Sequence, residues 1–369
     1  MSWLFVNRSE IAAQFGLPST LQSVDGVDCL TTDTGLAAVR SSVTAHDELT
    51  WVGASLSLLS ELGIRDLGQF IRAEQGAYAV RIKDRWVYLT QFASGTPCDA
   101  NNLFEVRSVG RVLAQLHRAS PEVLAKHTPP PSRVADDWLI GARERASYWR
   151  LAAHRFRKGT RGEALRHLLR SAEESLTRAE KLGESLWGER VLSLARVSFG
   201  YFAYLRESHA VYLNEARLHV DLSVVNIGDL LLESGVGNEA GLHLLAAYQA
   251  VRPLSPIERD MLLAYLCYPH EWAEQLDELT RGNAAFDGEK TMATLKRKGE
   301  WIEWLEERFS TPRKERSAAP LSTDKCAMAP RPSEVTDIAE PGEPLVSSSL
   351  PSSPEPPLSR VLWRPFPRR

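Results

Sequence analysis

The hydrophobic pattern changes period once, around Ser94–Pro97, and that change restricts the chain to a strand-rich part followed by a helical part. Before it, "GVDCLTTDTGLAAVRSS" holds two short β-like runs around a turn at Asp33–Gly35. "AYAVRIKDRWVYLTQFAS" holds two more, joined at Lys83–Asp84. Between them, "TAHDELTWVGASLSLLSELG" places Leu49, Val52, Leu56, Leu59 and Leu62 at helical spacing, with Thr44 and Asp47 resembling a capping box and Gly63 as the stop. After it, "LFEVRSVGRVLAQLHRAS" sets Phe104, Val109, Val112, Leu113 and Leu116 on one helical face. "RGEALRHLLRSAEESLTRAEKLG" does the same with Leu165, Leu168, Leu169, Ala172 and Leu176. A β-like interlude spans 191–218. Helices resume at Ile227 and run to about Phe309, where Met292, Leu295, Ile302 and Leu305 form an inward stripe.

From Thr311 the composition shifts. This stretch carries more than half of the chain's 21 prolines and has no sustained periodicity, so it is expected to be disordered, because it cannot bury enough apolar surface to offset its ordering entropy. The expected division is therefore 1–93, 94–310 and 311–369. A net charge of −3 gives no reason to expect nucleic acid as a partner, and no apolar run reaches the length of a membrane span. The first ten residues lack a basic stretch followed by an apolar core, so no secretory signal is expected there. Cys29, Cys98, Cys267 and Cys326 form no C-x-x-C pair, which suggests neither zinc nor a disulfide framework. No metal site is expected. His117, His219 and His270 are expected to pack or hydrogen-bond rather than to catalyse.

A small strand-rich lobe, a short connector and a larger helical lobe holding a hairpin is the layout of a kinase. "LHVDLSVVN" (218–226) fits the kinase catalytic loop, with Asp221 as base and Asn226 as metal ligand. In that frame a hairpin should follow and deliver a metal-binding aspartate. Asp229 comes too soon for it, and the chain then turns helix-like.

Four phrases, "LTTDTGLAAVR" (30–40), "RWVYLTQFASGTP" (85–97), "VGRVLAQLHRAS" (109–120) and "AYQAVRPLSPIERDMLLAYLCYPHEW" (247–272), occur in an order that resembles the CotS-type spore-coat proteins, of the aminoglycoside-phosphotransferase-like branch of the protein-kinase-like fold. The resemblance implies an ATP cleft between lobes. It also implies a second frame, in which "SLARVSFGYFAYLRESHAVYL" is the hairpin. The catalytic motif then begins at Arg196 and Val197, the base position falls on Ser198, the metal-asparagine position on Ala203 and the metal-aspartate position on Asn214. Arg40 stands where a phosphate-contacting lysine would be, with Glu48 as its expected ion-pair partner, and Gln91 and Phe92 mark the hinge. A serine does not match a carboxylate as base, and an alanine offers magnesium no oxygen.

The resulting expectation is an α+β, two-lobed kinase-like fold with degenerate catalytic motifs and no cofactor. Its expected role is a spore-coat component or scaffold that has other coat proteins as partners and is made in the mother-cell cytoplasm. The alternative is an ATP- and Mg-dependent phosphotransferase acting on a small molecule, sugar or protein.

Overall fold

The computed structural model describes residues 7–135, 138–154, 156, 158–182, 190–195, 197–215, 217–235, 237–281 and 287–310. Everything below concerns those residues, all of which lie in the compact unit Met1–Cys326. The expected tail, 311–369, lies outside them, as do Arg196 and Cys326.

The N-terminal part is one antiparallel sheet. Helix α1 (Arg8–Gln14) precedes β1 (Leu21–Val24), β2 (Val27–Thr32) and β3 (Gly35–Ser42). Helix α2 (His46–Glu61) leads to β4 (Phe70–Ile71), β5 (Val80–Ile82) and β6 (Arg85–Phe92). The strand order is β1-β2-β3-β6-β4, with β5 also paired to β6. Asp25 and Gly26 join β1 to β2 with φ of 50° and 74°, the left-handed pair that a two-residue hairpin turn needs. Alternation along β3 and β6 sends Ala37, Val39, Val87 and Leu89 into a core shared with Ile11 and Phe15 of α1. The opposite face sets Tyr88 beside Leu49 of α2.

Leu49, Val52, Leu56 and Leu59 are all buried on α2, as their spacing requires. Its cap differs from expectation: Ala45 is the N-cap and makes no side-chain bond, while Ser42 Oγ accepts from the Thr44 amide at 2.9 Å. Thr44 and Asp47 therefore form no capping box.

After the short β7 (Thr96–Pro97), the chain is helical: α3 (Leu103–Lys126), α4 (Trp138–Ala153) and α5 (Gly159–Leu182). Val109, Val112, Leu113 and Leu116 are buried on α3, but Phe104 is 47% exposed at its first turn and meets Tyr204 edge-on. Then come β8 (Arg190–Leu194), a 3-10 turn (Phe199–Tyr201), β9 (Phe202–Leu205), β10 (Ala210–Leu213) and β11 (Leu218–Leu222). Helices α6 (Ser223–Glu233), α7 (Glu239–Val251), α8 (Pro256–Cys267), α9 (Ala273–Arg281) and α10 (Gly288–Ser310) complete the described chain. Ser255 and Glu258 form a full capping box at α8, with Pro256 at its first position.

Helix α3 packs along α7, and α5 packs against α8 and α10. His117 is fully buried and bonds the Tyr248 hydroxyl through Nδ1 at 2.8 Å. Lys298 on α10 is buried too, donating to Tyr268 O at 2.9 Å and Glu271 at 2.7 Å, so it belongs to the interior and not to a surface basic patch.

Candidate functional site

Between the sheet and the helical part lies a cavity of about 340 Å³, within the size range of small-molecule sites. One wall is the β1–β2 turn, through Asp25 and Val27, with Arg40 from β3. The connector supplies Phe92, Gly95 and Pro97. The floor is the end of β8 and the turn after it, including Ala195, Val197, Tyr201 and Ala203. The back is Leu213, Asn214, Glu215 and Arg217.

Several polar groups of this cavity pair with one another, while Arg40 Nε has an ion pair but no hydrogen bond. Glu215 lies between two guanidinium groups, with Arg217 Nε at 3.1 Å and Arg40 Nε at 3.7 Å. The Tyr88 hydroxyl, on the strand position opposite Arg40, donates to Glu215 at 3.4 Å. Burial, and then the Glu215 charge, push that phenol up to about 12, so it stays a donor. The Glu215 charge holds Arg217 above its ordinary value. Asp25 accepts from Ser94 Oγ at 2.7 Å, which ties the hairpin tip to the connector.

Asn214 is bonded at both ends of its carboxamide. Oδ1 accepts from the Ala93 amide at 2.8 Å and Nδ2 donates to Ala93 O at 3.0 Å. Beside it, Gly68 N donates to Leu213 O at 2.7 Å and Leu213 N donates to Asp66 O at 2.8 Å, joining the sheet-rich part to β10 through the backbone.

Of the residues singled out from sequence, Arg40, Phe92, Ala203 and Asn214 line this cavity together. Glu48 does not. It sits at the first turn of α2, which points toward the 3-10 turn Pro131–Arg133, and pairs there with Arg133 at 2.7 Å and with the Ser132 hydroxyl at 2.8 Å. The expected Arg40–Glu48 pair is thus replaced by Arg40–Glu215. Gln91 is exposed, with its backbone N–H donating to Gln69 O at 2.8 Å, and it does not line the cavity. Ser198 also faces elsewhere: its hydroxyl donates to Glu233 at 2.8 Å and caps the following 3-10 turn. Glu233 accepts the Phe199 amide as well, at 3.0 Å, and so anchors the floor from behind.

The alternative pair lies outside the cavity. Asp221 is on β11 opposite Val191, with His219 Nε2 at 3.3 Å and its own strand's Leu222 amide at 2.7 Å. Asn226 is buried on α6. Its Oδ1 accepts from Leu194 N at 2.8 Å and Ser193 Oγ at 2.9 Å, while Nδ2 donates to Leu194 O at 2.8 Å. It fastens β8, the strand that leads into the floor.

Sequence reasoning missed Asp25, Ser94, Tyr201, Glu215 and Arg217. Two signals were present. "VDGV" carries the Asp-Gly pair that marks a tight hairpin, and "LNEAR" sets a carboxylate and an arginine directly after Asn214. Ser94 and Tyr201 had no such local mark.

Among the described residues, the side-chain oxygens of Asp25, Asn214 and Glu215 that line this cavity already have partners, so they offer magnesium no free set of ligands. Magnesium takes hard oxygens in octahedral geometry, usually one or two carboxylates. The Asn214 oxygen accepts the Ala93 amide, Glu215 is shared between two arginines, and Asp25 accepts from Ser94. Among the described residues no cluster of three His, Cys, Asp or Glu side chains is arranged to hold a metal.

No family model and no curated protein matches the chain. Solved structures do. An aminoglycoside phosphotransferase from Alicyclobacillus acidocaldarius superimposes with a TM-score of 0.66 at 18% identity, covering 81% of this chain and 95% of that one. Amicoumacin kinase hAmiN, in complex with AMP-PNP, Ca2+ and Ami, gives 0.52 at 13% identity, over 84% and 94%. Spectinomycin phosphotransferase in complex with ADP and spectinomycin gives 0.51 at 13%, over 81% and 96%. At these identities the likeness establishes the fold alone: the chain is α+β and kinase-like, with a sheet-rich N-terminal part and a helical C-terminal part. No described helix is long and apolar enough to cross a membrane.

Proposed function

We propose that this protein is a kinase-fold module that does not transfer phosphoryl groups and acts by binding other proteins. The observation that carries this reading is the chemistry of the cavity floor. From Arg190 to Leu213 the sequence has a single carboxylate, Glu207, and that residue lies in the β9–β10 turn. Phosphoryl transfer relies on a positioned base and on metal ions that spread the developing charge. The carboxylates among the described cavity residues, Asp25 and Glu215, already have partners in Ser94 and in Arg40 and Arg217, and Asn214, at the position assigned to a metal aspartate, is engaged with backbone.

The place we propose for it is the spore coat, assembled from the mother-cell cytoplasm with other coat proteins as partners. This rests on the sequence phrases that resemble CotS-type proteins. We further propose that residues 1–93 and 94–310 are the two lobes and that 311–369 is an interaction segment, supported by its proline content.

A second reading is an ATP-dependent phosphotransferase acting on a small molecule, sugar or protein. The names of the structural neighbours favour it, since they are phosphotransferases and kinases, and so does a cavity in the cleft. Incubation with ATP and Mg2+ separates the two. The first reading expects no ADP release above background, and release abolished by Asp221→Ala would establish the second. Localisation in sporulating cells tests the coat assignment, which fails if the protein appears only during vegetative growth.

A further inference from the structure

We propose that Asn214 is an inter-lobe latch, so that closure of the sheet-rich part over the helical part is held by groups of the chain itself. The carboxamide of Asn214 makes a two-point pair with the backbone of Ala93, in the connector directly after β6. An asparagine suits this role because it offers one acceptor and one donor side by side, matching a backbone amide and carbonyl of one residue. An aspartate at this place would keep the acceptor but lose the donor, and would set a negative charge against Ala93 O.

The latch has a base. Gly68 N bonds Leu213 O and Leu213 N bonds Asp66 O, so the strand that carries Asn214 is already fixed to the N-terminal part. That approach requires glycine at 68, since an added Cβ would lie 2.4 Å from Asn214 O and 3.0 Å from Gln91 O. A second tie, Asp25 to Ser94, engages the residue next to Ala93 from the hairpin tip. Four contacts thus converge on two short stretches, 66–68 and 93–94, from both sides of the cleft. In this arrangement the connector is a strut and not a free hinge.

Amide hydrogen exchange on the full chain tests it. In the unaltered protein the Ala93 amide should be protected like the hydrogen-bonded amides of Leu213 and Gly68. Its exchange should stay the same, within a factor of two, when AMP-PNP and Mg2+ are added. Asn214→Ala should speed Ala93 exchange about tenfold or more, the factor for losing about 1.4 kcal/mol of local stability, while Leu89 inside β6 is unchanged. Asn214→Asp, a second variant of nearly the same shape, keeps the acceptor for the Ala93 amide and should speed its exchange less than Asn214→Ala does. The proposal is overturned if Ala93 exchanges as an open loop amide in the unaltered protein. It is equally overturned if Asn214→Ala leaves Ala93 unchanged, or if AMP-PNP with Mg2+ slows Ala93 exchange tenfold.

Discussion

Asn226 illustrates how far a residue's identity goes without its surroundings. By spacing alone it fits a metal-binding asparagine. By burial and bonding it is a clamp on β8, holding both backbone groups of Leu194 and the hydroxyl of Ser193. Replacing it with alanine would leave buried backbone groups unsatisfied at the start of the cavity floor. The expected loss is about 2–4 kcal/mol, read as a lower urea midpoint, and an unchanged midpoint would contradict the clamp. Asn226→Asp should lose less, because it keeps the acceptor and gives up only the bond to Leu194 O. The same distinction governs Glu48 and Glu215. Both are glutamates near Arg40 in a kinase-like layout, yet only Glu215 reaches it. No pattern in the sequence separates them, because the choice depends on where α2 starts relative to the turn at Pro131–Arg133.

At the scale of elements, local period was a sound guide. Helices α2, α3, α5 and α10 bury or pack most of the apolar residues their spacing selects, with Leu62 and Phe104 the exposed exceptions, and the β9–β10 hairpin lies inside the segment assigned to one. The pairing of elements was less legible. Strand β11 pairs with β8, across an intervening hairpin, and β7 pairs with β9 from more than a hundred residues away. Such contacts depend on the helical part bringing distant strands together, and no local repeat announces them. The frame containing Ser198 failed to place it in the cavity for a related reason: the 3-10 turn at Phe199–Tyr201 rotates Ser198 outward and Tyr201 inward. The junction of the two parts makes its own prediction. Gly68→Ala forces a methyl group against the Asn214 carbonyl, so it should cost about 1–3 kcal/mol and loosen β10 from the N-terminal part. Thermal unfolding together with proteolysis around residues 93–97 checks this, and unchanged values in both would show that the close approach is not maintained.

At the scale of the whole molecule, buried titratable groups make stability depend on pH. Burial, reinforced by Arg252, pushes His117 down to about 3. Burial, reinforced by Lys298, does the same to His270. A histidine kept neutral in the fold stabilises fully above its unfolded value, 6.5, and that stability is lost as pH falls. Asp229 behaves oppositely. Burial raises it to about 6, so between its unfolded value of 3.8 and 6 the folded chain holds a proton the unfolded chain has released. Over roughly pH 4–6 the unfolded state therefore binds two protons, on the histidines, against one in the folded state. From these three groups stability should fall by about 1.4 kcal/mol for each unit of acidification. His117→Gln should flatten that slope, which denaturant titrations at pH 4, 5 and 6 would reveal. A slope as steep as before would mean that His117 is not held neutral.

The kinase-like layout was legible from the change of period and the family phrases. The closed, self-paired character of the cleft was not, because it rests on Asn214 meeting a backbone group 121 residues away in sequence. The claim on which the account turns is that this cleft does not take up a magnesium nucleotide for phosphoryl transfer. A thermal-shift titration with ATP in the presence and absence of Mg2+ tests it most directly. The account predicts no Mg2+-dependent shift. A nucleotide present at a hundred times its dissociation constant would add about 2.7 kcal/mol, or roughly 4 °C for a folded part of about 300 residues, and a Mg2+-dependent rise of that order would contradict it.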